Sequence, residues 1–241
     1  MSSEELNQRQ PVVAVILPAL NEEEAIGKVI SEVPKKALEE NGFSVKVIVV
    51  DNDSIDRTKL VAEENTATVI KEPRRGKGYA VNTGIRSTDA DYFFLMDADH
   101  TYPPSHIPEM LKLLEHKHVV IGSRVKGHRE KGSIKLLNLM GVIFLSLAAT
   151  IIYQRRISDI CTGYWGLRGE VAKKLNLNAM GFDIEARLFS EITRKKFSTV
   201  ELPISYRRRM GGEPKLRPFR DGFRILHVLL VDRFKTSYGN E

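Results

Sequence analysis

The chain has 241 residues, with 37 Lys and Arg against 31 Asp and Glu, a formal net charge of +6 and an isoelectric point near 9.3. A hydrophobic share of 42% beside 28% charged residues is that of a soluble globular protein, and the single cysteine, Cys161, excludes an internal disulfide and suits a reducing, cytosolic setting. The basic excess favours an anionic partner, whether nucleotide, nucleic acid or membrane surface, and by itself does not choose among them.

Met1–Gln10 is polar and lacks the apolar core of a signal peptide. Residues 1–10 therefore read as a loose tail and residues 11–241 as one domain, since no linker rich in Pro, Gly or Ser divides them. Val12–Leu17 is an apolar run ending at Pro18, followed by Asn21-Glu22-Glu23-Glu24 and a helical pattern through Ala25, Ile26, Val29, Ile30 and Val33. Asn21 suits an N-cap, and the acids suit a first turn at the positive end of the helix dipole. The functional alternative is that the turn at residues 18–22 touches a nucleotide. Val45–Val50 is the next β-branched run, and it too ends in acids, at Asp51-Asn52-Asp53.

A third strand is expected at Thr68–Lys71, then Arg74-Arg75-Gly76-Lys77-Gly78 and a helix over Tyr79–Ser87. Glycines and cations before a helix suit phosphate, although this is not the P-loop spacing. Asp91–Met96 reads as the fourth strand. A helix follows Pro103 and Pro104, and Val119–Ser123 makes a fifth strand. Strands separated by helices imply a mostly parallel sheet with helices on both faces.

Leu136–Ile152 is nearly all apolar, between Lys131 and Lys135 on one side and Arg155 and Arg156 on the other. It reads as a buried core helix or as a helix lying in a membrane interface, with a true span the least favoured. Asp159-Ile160-Cys161-Thr162-Gly163-Tyr164-Trp165-Gly166 reads as a polar-aromatic loop. A helix is expected from the Asp183–Glu185 region to near Lys195, a strand over Thr199–Ser205 and an amphipathic helix over Phe219–Tyr238. Between the last two, Arg207, Arg208, Arg209, Lys215, Arg217, Arg220 and Arg224 crowd one stretch with only Glu213 and Asp221 against them.

The chemistry concentrates at Phe93-Phe94-Leu95-Met96-Asp97-Ala98-Asp99, an apolar strand ending in two carboxylates. Such a strand end is where open α/β sheets bind ligands. Neighbouring carboxylates repel unless a cation or a proton intervenes, and hard oxygen ligands suit Mg²⁺ or Mn²⁺ completed by substrate phosphate. The bland alternative is a pair of loop acids, with Asp99 capping the next helix.

Taken in order, Leu17-Pro18-Ala19-Leu20-Asn21-Glu22, Val49 to Asp56, Gly76-Lys77-Gly78, Met96-Asp97-Ala98-Asp99, Gly122-Ser123-Arg124, Asp159 to Tyr164 and Arg209 to Lys215 resemble glycosyltransferase family 2. Within it they resemble the dolichyl-phosphate (polyprenyl-phosphate) sugar synthases, over Val12 to about Arg224. The resemblance implies a GT-A (Rossmann-like) α/β fold, a nucleotide-sugar donor, Mg²⁺ or Mn²⁺, and a dolichyl or polyprenyl phosphate acceptor. It implies that Pro18, Leu20, Glu22, Val50 and Asn52 line the nucleotide site, and that Asp97 and Asp99 bind metal and diphosphate beside Ala98. It further implies that Arg124 meets the acceptor phosphate, and that Arg209 and Lys215 close on the phosphates. The family often has Asp where this chain has Asn52 and an aromatic residue where it has Leu20.

A lipid phosphate is already an anion, so it needs no protein base. Single-step displacement with inversion at the sugar carbon follows, with the two phosphates' repulsion offset by metal and cations. Asp183 or Glu185 would serve as base for a neutral hydroxyl acceptor, the rival within the family, although as first-turn acids both have a structural explanation. A nucleotidyltransferase is disfavoured because the first strand is followed by no glycine-rich loop. A nucleic-acid binder would leave Asp97 and Asp99 without a role, so no nucleic acid is expected. The expected location is the cytoplasmic face of a membrane, held peripherally through residues 134–153 and the C-terminal helix or through a membrane-embedded partner subunit.

Overall fold

The computed structural model describes residues 9–212 and 217–234. The first half runs β1 (Val12–Ala19), α1 (Ile26–Glu32), α2 (Lys35–Glu40), β2 (Ser44–Asp51), α3 (Thr58–Glu64), β3 (Thr68–Lys71), α4 (Lys77–Arg86) and β4 (Tyr92–Leu95). A 3-10 turn (Pro104–His106), α5 (Ile107–Leu114) and β5 (Val119–Ser123) follow. Then come α6 (Leu136–Tyr153), β6 (Trp165–Arg168), α7 (Gly169–Lys174), α8 (Ile184–Arg194), β7 (Thr199–Pro203) and α9 (Pro218–Phe234). The expected tail is outside the described residues up to residue 8, as are Lys215 and the expected helical residues beyond 234.

Successive side chains of a strand point to opposite faces, and β1 obeys this throughout. Val12, Ala14 and Ile16 join the core under α4, α6, α7, α8 and α9. Val13, Val15, Leu17 and Ala19 join the core under α1, α2, α3 and α5. Both faces of the sheet are covered, which is why its central strands read as unbroken apolar runs. The 7-stranded sheet has the order β3-β2-β1-β4-β6-β5-β7. Its neighbours are parallel except at β6, which runs antiparallel between β4 and β5. Ala19 pairs with Asp51 and Ile16 with Leu95, so the segments leaving β1, β2 and β4 meet at one edge.

Two local expectations are corrected. Asn21 is not the N-cap of α1, which starts after Ala25 with no acid in its first turn. Asn21 instead takes a left-handed backbone (φ 50), and its Oδ1 accepts the Ile55 N–H at 2.9 Å. Glu23 Oε2 likewise accepts the Arg57 N–H at 2.9 Å. These side chains tie the loop after β1 to the loop after β2 and satisfy backbone donors at the sheet edge.

The second correction is β6, read from sequence as the end of a loop. It is four residues long with a central glycine, too short to show alternation. Gly166 is needed there because a Cβ would come within 3.0 Å of the Phe94 ring.

Helix α6 is not enclosed on all sides. Leu145, Ser146, Ala149 and Tyr153 face inward, and the Tyr153 hydroxyl donates to Leu229 O at 2.9 Å. Its other face leaves Leu137, Met140, Phe144, Leu147 and Ile151 each more than half exposed. By length and composition α6 is apolar enough to cross a membrane. It lies against α9, whose Phe219, Phe223 and Phe234 are exposed as well.

Candidate active site

The short strand β4 ends at Leu95 and delivers Asp97 and Asp99 to the edge where β1 and β2 also end. Each carboxylate holds a cation of the chain. Asp97 Oδ1 is 2.5 Å from Lys77 Nζ, which is 2.6 Å from Glu185 Oε1. Asp99 Oδ2 accepts from Arg209 Nη1 at 2.7 Å, and Asp99 Oδ1 from the Thr101 hydroxyl at 2.6 Å. The other arm of Arg209 bonds Glu22 Oε1. The segment after β7 that carries Arg209 also lies along the segment after Asp97, with Arg207 N–H on Thr101 O at 2.9 Å and Met210 N–H on Asp99 O at 3.1 Å.

Electrostatics follow burial. Burial works against charge on Lys77, but Asp97 and Glu185 outweigh it and hold the ammonium above its ordinary range. Burial also pushes the Glu185 carboxyl up, and Lys77 offsets only part of that. Arg209 is likewise opposed by burial and held charged by Asp99 and Glu22. Burial raises the Cys161 thiol to about 12, which keeps it protonated and inert at neutral pH.

The expected nucleotide residues divide. Pro18 and Leu20 are half-buried and Glu22 is buried at the loop after β1. The Val50 side chain is fully buried in the core under α4, so it offers the cleft only backbone. Asn52 is spent on structure: Nδ2 donates to Glu72 O at 3.0 Å and to Arg74 O at 2.7 Å, and Oδ1 accepts the Gly76 N–H at 2.6 Å. An aspartate lacks the two donors these carbonyls use, which explains Asn at this position.

Arg124 forms a bidentate pair with buried Asp159, Nε to Oδ2 and Nη2 to Oδ1, both at 2.7 Å. Its guanidinium carbon lies 5.2 Å from the Tyr206 ring and 5.9 Å from the Tyr102 ring. The Tyr102 hydroxyl in turn accepts the Gly163 N–H at 2.8 Å. Gly163 sits against Asp97, where a Cβ would approach Oδ2 to 2.7 Å. Ala98 is buried among the residues under α5.

Sequence reasoning reads Lys77 only as a cation suited to phosphate and Glu185 as a base for a hydroxyl acceptor or a first-turn helix acid, and it gives Gly163 and Asp159 no role of their own in this cluster. The available signal was the lone lysine between Gly76 and Gly78. A Cβ at either glycine would lie within 2.4 Å of the backbone carbonyl of Met180 or Ala179, so the lysine is forced against the segment leading into α8.

The residues suit a hard divalent ion. Asp97 and Asp99 give oxygen donors, and the missing Cβ at Gly163 keeps one edge of Asp97 clear. Among the described residues no group of three or more His, Cys, Asp and Glu side chains is placed to cage a metal. An ion here would complete its shell with water and phosphate, as Mg²⁺ characteristically does.

Comparison with known proteins agrees with this geometry. The profile of glycosyl transferase family 2 matches residues 14–175. A low-salt glycan biosynthesis hexosyltransferase of Haloferax volcanii is 31% identical over 225 residues, 92% of this chain and 54% of the relative. A dolichol-phosphate mannosyltransferase of Pyrococcus furiosus is 32% identical over 216 residues, 85% of this chain and 59% of the relative. The dolichyl-phosphate hexose transferase of Haloferax volcanii is 30% identical over 228 residues, 92% of this chain and 96% of the relative. This chain thus spans 54% and 59% of the length of the first two relatives. Among solved structures, glucosyl-3-phosphoglycerate synthase from Mycobacterium tuberculosis, crystallised with Mn²⁺, UDP-glucose and phosphoglyceric acid, superposes with a TM-score of 0.75 at 22% identity, covering 95% of this chain and 82% of that one.

Proposed function

Because the chain belongs to glycosyl transferase family 2, we propose that it moves a hexose from a nucleotide-sugar donor to the phosphate of dolichyl or another polyprenyl phosphate at a membrane surface. The observation that carries this reading is the junction of two surfaces. The carboxylate pair Asp97 and Asp99, with Lys77 and Arg209 upon it, lies at the sheet edge. The exposed apolar faces of α6 and α9 connect to it through α8, since Arg224 Nε of α9 is 3.1 Å from Asp183 Oδ1 at the head of α8, whose Glu185 holds Lys77. A water-soluble donor and a lipid-anchored acceptor need such a junction.

In this reading Pro18, Leu20 and Glu22, with backbone from Val50 and Asn52, border the nucleotide. Asp97 and Asp99 hold Mg²⁺ or Mn²⁺, which when bound neutralises diphosphate charge. Arg209 meets the donor phosphates, the role the sequence also offers Lys215, which lies outside the described residues. Arg124 meets the acceptor phosphate through the nitrogen that Asp159 leaves to it. The acceptor's own negative charge makes it the nucleophile, so no residue is asked to remove a proton. GDP-mannose, UDP-glucose and UDP-N-acetylglucosamine are the donor candidates.

The exposed faces of α6 and α9 suit the headgroup boundary, and Lys131, Lys135 and Arg156 around α6 suit an anionic cytoplasmic leaflet, while Arg155 is spent on Phe197 O and the Thr199 hydroxyl. A membrane-embedded partner subunit is the alternative occupant of that face.

One observation favours a second reading. Glu185 is buried beside Asp97 with its carboxyl pushed up, which suits a general base for a hydroxyl acceptor. Incubation of the protein with each radiolabelled sugar nucleotide, Mn²⁺ and polyprenyl phosphate tests the main reading, with organic-phase label expected for one donor. Glu185→Gln separates the two: a mild effect fits the phosphate acceptor, and abolished turnover fits the hydroxyl acceptor.

A further inference from the structure

The two aspartates assigned to the metal both carry a cation of the chain, and the two cations are not equivalent. Arg209 comes from a loop and bonds Gly211 O within it. Lys77 opens α4, and its backbone is wedged against the segment before α8. A Cβ at Gly76 would lie 1.8 Å from Met180 O, and one at Gly78 would lie 2.4 Å from Ala179 O. Packed elements therefore deliver the Lys77 ammonium to Asp97. Its side chain is 14% exposed and that of Glu185 6%, so the pair is shielded from competing water and salt.

A divalent ion on Asp97 and an ammonium 2.5 Å from the same carboxylate repel each other. Gly163 leaves Asp97 no more than the space of a missing Cβ, which would fall 2.7 Å from Oδ2 and 2.8 Å from Oδ1, so the carboxylate has little room to serve both by turning away. We propose that Lys77 is a tethered counter-ion that competes with the divalent ion for Asp97 and yields when a nucleoside diphosphate brings replacement negative charge. This rests on the reading of Asp97 and Asp99 as metal ligands.

Glu185 remains a second anchor for the ammonium, and the four-carbon stem lets it swing from Asp97 toward the diphosphate while α4 stays in place. Without donor, the cleft keeps its buried carboxylates neutralised. With donor, metal and nucleotide each favour the other's binding by the same factor, as linkage requires. Lys77 is thus a positioning residue whose removal strengthens metal binding, an effect that a purely structural role would not produce.

Calorimetric titration of Mn²⁺ into the full chain, alone and then with GDP or UDP, tests this. Wild type is expected to bind Mn²⁺ weakly alone and about tenfold more tightly with whichever nucleotide it accepts. Lys77→Met is expected to bind Mn²⁺ alone about tenfold more tightly than wild type and to lose most of the nucleotide's enhancement, while Lys77→Arg stays close to wild type. In the double variant Lys77→Met, Glu185→Gln the buried position 185 carries no charge facing a lost partner and only the more exposed Asp97 does, so it guards against misfolding and is expected to show the same gain, reduced. A folded Lys77→Met or double variant that binds Mn²⁺ no more tightly than wild type overturns the inference and leaves the metal site standing. Absence of Mn²⁺ heat from every variant with either nucleotide overturns the metal reading together with it.

Discussion

At the ends of β1, β2 and β4 the side chains are polar and bonded to one another, with Glu22, Asp97 and Asp99 each engaged by Arg209 or Lys77. Across α6 and α9 the arrangement is reversed: the inward faces pack, and apolar side chains such as Phe144, Leu147 and Phe223 stand in solvent. On the proposed reading the first region binds charged donor from water and the second leaves water for a membrane. Arg224 with Asp183 and Arg187 with Asp232, the latter at 2.9 Å, tie α9 to α8, whose Glu185 reaches the first region through Lys77. A chain with this division can meet one substrate in each phase, and each region can be damaged while the other survives.

The largest effect is expected in the polar region. On the proposed reading Asp97→Asn removes charge beside the donor diphosphate, and transfer is expected to fall about 1,000-fold with the thermal midpoint little changed. Steady-state kinetics beside a melting curve checks this, and activity within tenfold of wild type contradicts it. Next comes Gly163→Ala. Its Cβ would enter the Asp97 carboxylate at 2.7 Å, and a displacement of that order costs about 100-fold in kcat/KM. Binding of labelled nucleotide by the same variant distinguishes a displaced carboxylate from a collapsed cleft.

The apolar region is tested by Phe144→Glu with Leu147→Glu, both on exposed positions of α6. Co-sedimentation with anionic vesicles is expected to weaken by at least about 100-fold, since two lost apolar side chains at roughly 1.5–3 kcal/mol each remove about 3–6 kcal/mol. Turnover of a short-chain, water-soluble acceptor is expected to remain. Equal loss with both acceptors would mean that the two regions are not separable.

How much of this division the sequence revealed differs between the regions for a physical reason. In residues 12–123, strands alternate with helices and both sheet faces are buried, so apolar runs marked the strands, and Thr68–Lys71 and Val119–Ser123 form as read. Asp97 and Asp99 were legible because they interrupt such a run. What was not legible is pairing across distance. Arg207 finds Glu32 and Arg209 finds Asp99 across separations of 175 and 110 residues, and a stretch of cations that looked free for an anionic partner is in part spent internally. The Lys77–Glu185 contact was hidden for the same reason. In the second region, burial on one side only made α6 look like a core helix and a membrane helix at once, and β6 was too short to declare itself.

The smallest expected effect concerns the frame behind the nucleotide loop. Bonds from Arg74, with help from Thr83, hold the Glu72 carboxyl down to about 2 from an ordinary 4.5. A depressed carboxylate stabilises the fold fully above the higher value, and that contribution is lost as pH falls from 4.5 toward 2. Glu72→Gln is expected to flatten the acid limb of a stability-versus-pH curve in that window and leave the neutral limb parallel to wild type. Chemical denaturation at a series of pH values measures it.

The proposed pairing of a charged cleft with an apolar platform is tested most directly by offering two acceptors that differ only in their head. Polyprenyl phosphate and the matching polyprenol, each in vesicles with Mn²⁺ and the accepted sugar nucleotide, are compared for label in the organic phase. Label on the phosphate alone, surviving Glu185→Gln and lost in Asp97→Asn, is the expected result. Label on the free alcohol, or on neither acceptor with any donor while the protein is folded, would contradict it.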